Sequence, residues 1–456
     1  FGLGLGGRLM FIEPLTVTPR PIQRNKPRDA RRPRLGKPPG TQGRQEASSE
    51  KPNPIPPGLL TFWRLACPAP GGWSPGVGHR AAGSLRWIAW PRPEPAARNR
   101  NIHTGWTNLM KLLETFCKTP GVPGREHRIR QQIIDAIDGV VDEHRTDAMG
   151  NLIAVRKPRP AGDQASGQPL KVMLAAHMDQ IGFLVKYIDD KGHVRLNNVG
   201  GFDTRNLFAR NAIVCASSGE DLQAVMNPGG KPVHIASDEE KKKIPEMHEF
   251  YLDLGLDAET VKQKVKIGDM VVLEAPFHEV GDAVTSQCLD NRVGCWAVVR
   301  TLQALENHDC EVHAVWTVQE EVGLRGAGPA AFGVEPDVAL SCDTTLCCDT
   351  PGVPDDQRVT EFGKGVCLKI MDGSTITDIA LVEDLERVAA AERIDCQRGV
   401  LPRGGQDGAM MQRSRAGVRT AVFACPVRYI HTVTEMAHRN DLDSYHRLLA
   451  AWLTQA

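Results

Sequence analysis

Thr317-Val-Gln-Glu-Glu-Val-Gly-Leu-Arg-Gly-Ala-Gly328 overlaps an apolar run, Val312 to Val318. It then sets two carboxylates side by side, Glu320 and Glu321, and becomes rich in glycine. A short apolar run that gives way to glycine reads as a buried strand ending in a loop. Successive side chains at a strand end point in different directions. One carboxylate can therefore hold a metal while its neighbour stays free as a base, which is the division of labour that metal-assisted hydrolysis needs. A Glu-Glu pair alone is most often solvated surface, so its meaning depends on what other strand ends carry.

Outward from this stretch, strands and helices alternate. Lys171 to Ala176 is a second apolar run of buried-strand type and ends in His177-Met-Asp179. Val338 to Cys342 is a third, with Asp343 directly after it, and Ala421 to Tyr429 is a fourth that leads to His431. Apolar residues at helical spacing mark helices from Thr107, about Glu126 to Ile137, Asn291 to Leu305, Ile379 to Arg393 and Asp443 to Gln455. Val140 to Val155 reads as a strand, a turn at Met149-Gly-Asn151 and a second strand. This alternation predicts an α/β sandwich. From about Val185 to Thr285 the texture changes to short β-like runs separated by turn signals, interrupted by a charged helix-like stretch, Asp238 to Met247. A small β-rich domain, residues 185–285, is therefore expected as an insert. The parent domain would comprise residues 106–184 and 286–456.

Composition divides the chain once more. Residues 1–105 hold 17 Lys and Arg against 5 Asp and Glu, and 17 of the 32 prolines. The surplus of twelve positive charges is mirrored by an equal deficit in the remainder. Proline interrupts every period in this part, so it is expected to be a disordered extension. A nucleic-acid-binding tail is disfavoured because its arginines are interleaved with proline instead of gathered on a face. An organelle transit peptide and an extension without function are the other readings, and Met110 is a candidate start. The twelve cysteines form no Cys-x-x-Cys pair, which suits thiols in a reducing, cytoplasmic setting better than a disulfide framework or a structural zinc module. No apolar run approaches the roughly 18 residues of a membrane span.

In open α/β sheets ligands gather beyond the carboxyl ends of the strands. His177, Glu320, Glu321, Asp343 and His431 all fall there, and Asp290 opens the helix after the insert in Cys288-Leu-Asp-Asn-Arg292. Two imidazoles and several carboxylates suit a borderline divalent metal, zinc first, with cobalt or manganese as alternatives. A shared carboxylate would let them hold two ions. Each residue also has a plain reading: a histidine after a strand is more often structural than a ligand, and Asp290 could be only a helix cap.

Five ordered motifs carry a resemblance. Ala176-His-Met-Asp-Gln-Ile-Gly182, Leu289-Asp-Asn-Arg292, Gln319-Glu-Glu-Val-Gly-Leu-Arg-Gly-Ala327, Arg403-Gly-Gly-Gln-Asp-Gly408 and Arg428-Tyr-Ile-His-Thr432, the last followed by Glu435-Met436, together resemble the tetrahedral-aminopeptidase family. These are dinuclear metallopeptidases, some of them named glutamyl aminopeptidases and some endoglucanase M. The likeness runs from about Thr107 to the C-terminus and includes the insert. It implies a three-layer sandwich of the zinc-exopeptidase type with an inserted barrel-like dimerisation domain. It also implies metal-dependent removal of N-terminal residues from peptides by subunits that assemble, through dimers, into dodecamers. His177 and Asp343 would bind one metal, Glu321 and His431 the other, and Asp290 would bridge them. Glu320 would be the general base, and Asp179 would hydrogen-bond His177 and fix its tautomer. Gln180, Gln406 and Thr432-Val-Thr434 depart from the family's usual residues, and none of them is an implied ligand. The alternatives are a non-catalytic metal-binding assembly protein and a glycoside hydrolase. The latter would need two carboxylates about a sugar and no metal, and the strand-end histidines speak against it.

Overall fold

The computed structural model describes residues 110–161 and 168–456; the expected extension, residues 1–105, lies outside the described residues. Among the described residues an eleven-stranded sheet forms the frame. Its centre is four parallel strands in the order Glu311–Thr317, Lys171–His177, Val338–Leu346, Arg419–Arg428. Nearly every residue of these strands is buried, as their continuous apolar runs require of strands covered on both faces. The register sets Thr317 opposite His177 and Asp343 opposite Ala424, so the chemistry-bearing ends share one edge. Leu152–Arg156 pairs antiparallel on one flank, with Glu143–Thr146 beyond it. On the other flank lie Glu435–His438, Ala283–Ser286 and His278–Val280.

The two faces of the sheet bury different helices, because side chains alternate along a strand. Val172, Leu174 and Ala176 join a core with Trp296 of the helix Leu289–Ala304, Leu385 of Ile379–Glu392 and Leu449 of Arg439–Gln455. Met173 and Ala175 face the other way, onto Ala327, Ala331 and Val334 of the helix Ala327–Val334 and onto Met411. This is the expected three-layer sandwich.

Between the strand that ends in His177 and the helix that begins at Leu289, the chain closes a barrel. Six antiparallel strands run in the order Gly182–Ile188, Val194–Val199, Phe250–Asp253, Asp221–Pro228, Arg210–Cys215, Met270–Leu273. A core of its own fills it, with Phe183, Leu196, Met226 and Phe250 fully or almost fully buried. The insert expected from the sequence is therefore a barrel. Its first strand starts at Gly182, and His278–Val280 and Ala283–Ser286 belong instead to the large sheet.

Four other elements differ from the sequence reading. The strand expected to end at Cys342 continues to Leu346, since its parallel partner Arg419–Arg428 supplies a ladder along the whole length. Asp343 thus lies within the strand. The charged stretch expected to be helical to Met247 is helical only over Asp238–Lys242. A Ser237–Glu240 capping box starts that helix, nothing in it is buried, and the approach to Pro245 ends it. The strands Val366–Met371 and Cys396–Val400 extend the sheet without an expected counterpart.

Candidate metal centre

Each proposed side chain is placed by a different local device. His177 ends its strand and is 2% exposed. Gln319, two residues past the end of Glu311–Thr317, takes a positive φ of 56° and turns the chain, so that Glu320 and Glu321 fall beside His177. Asp290 and Asn291 depart from helical backbone angles at the head of Leu289–Ala304. The capping role that Asp290 could have filled belongs to Asn291, whose Oδ1 accepts from Gly294 N at 3.0 Å while its Nδ2 donates to Cys342 O at 2.8 Å. Asp290 is left free to face the cluster. His431 sits in the loop between Arg419–Arg428 and Glu435–His438 with φ at 63° and a side chain 35% exposed.

All six residues expected to bind metal or act as the base come together, with Asp179 beside them. His177 Nε2 lies 3.3 Å from Asp290 Oδ1, 3.6 Å from Asp343 Oδ1 and 3.8 Å from Glu320 Oε2. His431 Nε2 lies 3.5 Å from Asp290 Oδ2 and 3.5 Å from Glu321 Oε2. Asp290 thus turns one oxygen to each imidazole. Among the described residues, two groups have ligand atoms close enough to share an ion: His177, Glu320 and Asp343, and His177, Asp290 and Glu321. Distance alone therefore groups Glu320 with the ligands.

Buried carboxylates hold this arrangement from behind. The resemblance implies that Asp179 hydrogen-bonds His177. Its main-chain oxygen lies 3.1 Å from His177 Nδ1, with the carboxylate at 3.7 Å. That carboxylate accepts from the backbone N–H groups of Glu320 and Glu321, each at 3.1 Å. Glu126 Oε1 accepts from Gln319 N at 3.1 Å, and Glu435 accepts from Asp290 N at 2.9 Å and from His431 N at 2.7 Å. Asp407, in the motif Arg403 to Gly408, receives the Thr317 hydroxyl. The sequence reading gave no role to Glu126, Asp407 or Glu435, which bond Gln319, Thr317 and Asp290, all far away along the chain, although Glu435 also reaches His431 four residues before it. Glu435 was visible only as part of a motif.

The electrostatics follow from burying many acids together. Seven carboxylates, Asp179, Asp290, Glu320, Glu321, Asp343, Asp407 and Glu435, surround two imidazoles. Burial, with repulsion from neighbouring carboxylates, pushes the Glu320 carboxyl well above its ordinary range, Glu321 up to about 8 and Asp407 to about 7. Asp290 moves down despite its burial, because His177 and His431 both favour its charged form. Burial opposes charge on the imidazoles, yet the carboxylates win: His177 is raised well above its usual value, chiefly by Glu320, and His431 to about 10, chiefly by Asp290. Two imidazoles cannot balance so many acids. Asp290 Oδ1 and Glu321 Oε1 are buried without a hydrogen-bond partner, which fits oxygens that await a cation. Imidazole nitrogens with carboxylate oxygens are the donor set of zinc and its neighbours.

The chain matches the M42 glutamyl aminopeptidase family over residues 150–448. It is 32% identical over 359 residues to the lysyl aminopeptidase of Pyrococcus furiosus, a match that covers 77% of this chain and 97% of that one. Among solved structures, an aminopeptidase from the archaeon Desulfurococcus kamchatkensis superposes with a TM-score of 0.72 at 32% identity, covering 77% of this chain and 95% of the other. A TET peptidase of Pyrococcus horikoshii, which can assemble into a tetrahedron or a large octahedral shell, gives 0.67 at 30% identity, with 76% and 100% covered. The sandwich, the inserted barrel and these matches agree: the chain belongs to the M42 glutamyl aminopeptidase family and is a peptide hydrolase of the aminopeptidase type.

Proposed function

We propose that the centre holds two divalent metal ions, zinc before cobalt or manganese, and removes N-terminal residues from peptides with Glu320 as general base. His177 and Asp343 hold one ion, Glu321 and His431 the other, and Asp290 is shared. The observation that carries this reading is the placement of Asp290, with Oδ1 at 3.3 Å from His177 and Oδ2 at 3.5 Å from His431. When bound, the ions supply Lewis acidity, which acidifies water and polarises the first peptide carbonyl. Glu320 takes the proton of the attacking water and passes it to the leaving amine. Asp179 holds the Glu320 and Glu321 backbone at fixed distance from His177.

We read the barrel as a dimerisation domain in a homo-oligomer of the tetrahedral kind. Support comes from apolar side chains left in the open on it, Val233, Ile235 at 69% exposure and Ile244, and from the assemblies of the Pyrococcus horikoshii relative. No helix among the described residues is long and apolar enough to cross a membrane. Eleven free thiols among those residues support a cytoplasmic setting.

The test is release of aminoacyl reporter groups before and after chelation, with zinc, cobalt and manganese added back across a panel of side chains. Activity should vanish with chelator and return with metal. Glu320→Gln should lower kcat by roughly 10²–10⁴-fold with metal content unchanged. Undiminished turnover in that variant would sink the base assignment. Removal of residues 1–105 should leave activity intact.

A further inference from the structure

Glu435 opens the strand Glu435–His438, and its register partner is Ser286 of the antiparallel strand Ala283–Ser286. The chain that leaves Ser286 reaches Asp290 four residues later. The chain that enters Glu435 has left His431 four residues before. One carboxylate, 1% exposed, spans both paths: Oε2 accepts from Asp290 N and Oε1 from His431 N. We propose that Glu435 is a positioning residue that sets the distance between Asp290 and His431, and so weighs more on the His431 side of the centre, where it holds both the shared Asp290 and His431, than on the His177 side, where it holds Asp290 alone.

This rests on the metal-binding reading above. The His431 loop needs such a device. Tyr429 and His431 both take positive φ, and the loop's own side-chain bonds, Thr432 Oγ1 to Tyr429 O and Thr434 N to Thr432 Oγ1, stay within the turn. Neither refers the loop to Asp290. Glu435 does, through two side-chain oxygens that each accept from one of the two N–H groups. Glutamine keeps one acceptor and turns an N–H₂ towards the other amide. The His177 ring is held separately, at the end of its strand and with Nδ1 at 3.1 Å from the Asp179 main-chain oxygen. His177 therefore has a support that does not pass through Glu435.

The experiment is a calorimetric titration of the chelated full chain with zinc, repeated with cobalt while the visible absorption is followed. The wild type should take up two ions. Glu435→Gln should bind the first ion within twofold of the wild type and the second roughly 10–100-fold more weakly, with the cobalt bands of the second ion altered. Its aminopeptidase activity should recover as zinc is raised, which a merely structural defect would not do. Equal affinities in variant and wild type would overturn the proposal, as would equal weakening of both ions. If Glu435→Gln does not fold, Glu435→Asp keeps the charge with both acceptors one methylene further back and serves the same comparison. A wild type that binds no metal would instead bring down the metal reading itself.

Discussion

The two imidazoles of the centre are held in opposite ways. His177 is the last residue of a fully covered strand, and its ring nitrogens face Asp179, Asp290, Glu320 and Asp343. His431 rides on a loop with left-handed backbone, its side chain a third exposed, and among the described residues its ring pairs with the carboxylates of Asp290 and Glu321. A strand end is fixed by its ladder and by packing on both faces. A loop is fixed only by the bonds it finds, here the Glu435 carboxylate. The difference teaches that one site can combine a rigid half and an adjustable half, with Asp290 as the element common to both.

The largest effect should come from removing what the halves share. Asp290→Ala should empty both sides, abolish detectable turnover and leave a folded chain, as metal analysis of the purified protein would show. Two ions per chain in that variant would break the idea of a common ligand. Next, the halves should separate: His431→Ala should lose one ion and keep the other, whereas His177→Ala should weaken both, because His177 alone faces both groups of candidate ligands. Identical metal loss in the two variants would erase the contrast. Asp179→Asn should be milder, lowering kcat/KM roughly 10–100-fold by loosening the Glu320 and Glu321 backbone. An unchanged kcat/KM would mean that the strand holds this half without it.

The smallest effect concerns pH. In the metal-free chain burial lifts Glu321 from 4.5 to about 8, and the carboxylates around His431 outweigh its burial to lift it from 6.5 to about 10. Both groups hold protons in the folded state that the unfolded chain has released. Their contribution is therefore complete below the unfolded values and is lost as pH rises through the folded ones. The chelated protein should melt a few degrees lower at about pH 9 than at about pH 6. Bound metal should remove much of that slope, because it replaces the protons as the balancing charge. A melting temperature that rises with pH in the chelated protein would contradict the crowding of acids on which the comparison depends.

What the sequence revealed of this site follows from how local each signal is. The parallel strands were legible because burial on both faces leaves continuous apolar runs, and their ends led directly to His177 and to Glu320 and Glu321. Asp343 was found although it lies within its strand, since Asp343, Thr344 and Thr345 are polar and mask the continuation of the strand to Leu346. The uncertainty over Asp290 was real at that level: Asp and Asn are both good caps, and only the Gly294 and Cys342 contacts assign the cap to Asn291. Glu126 was beyond reach, and Glu435 was visible only within a motif. Each acts through a backbone N–H 193 or 145 residues away, on Gln319 and Asp290 respectively, and Glu435 also through that of His431. Asp179 shows the same limit, because the resemblance gave it only His177 as a partner, while its carboxylate also accepts from the distant amides of Glu320 and Glu321. The motifs identify who meets at the centre, whereas what holds them there depends on contacts between distant segments.

The most direct measurement is anomalous diffraction at the zinc edge from crystals of the full chain grown with zinc. Two peaks are predicted, one beside His177 and Asp343 and one beside His431 and Glu321, with the Asp290 carboxylate between them and Glu320 outside both coordination shells. A single peak, or a peak with Glu320 among its ligands, would contradict the shared-carboxylate centre and the assignment of Glu320 as its base.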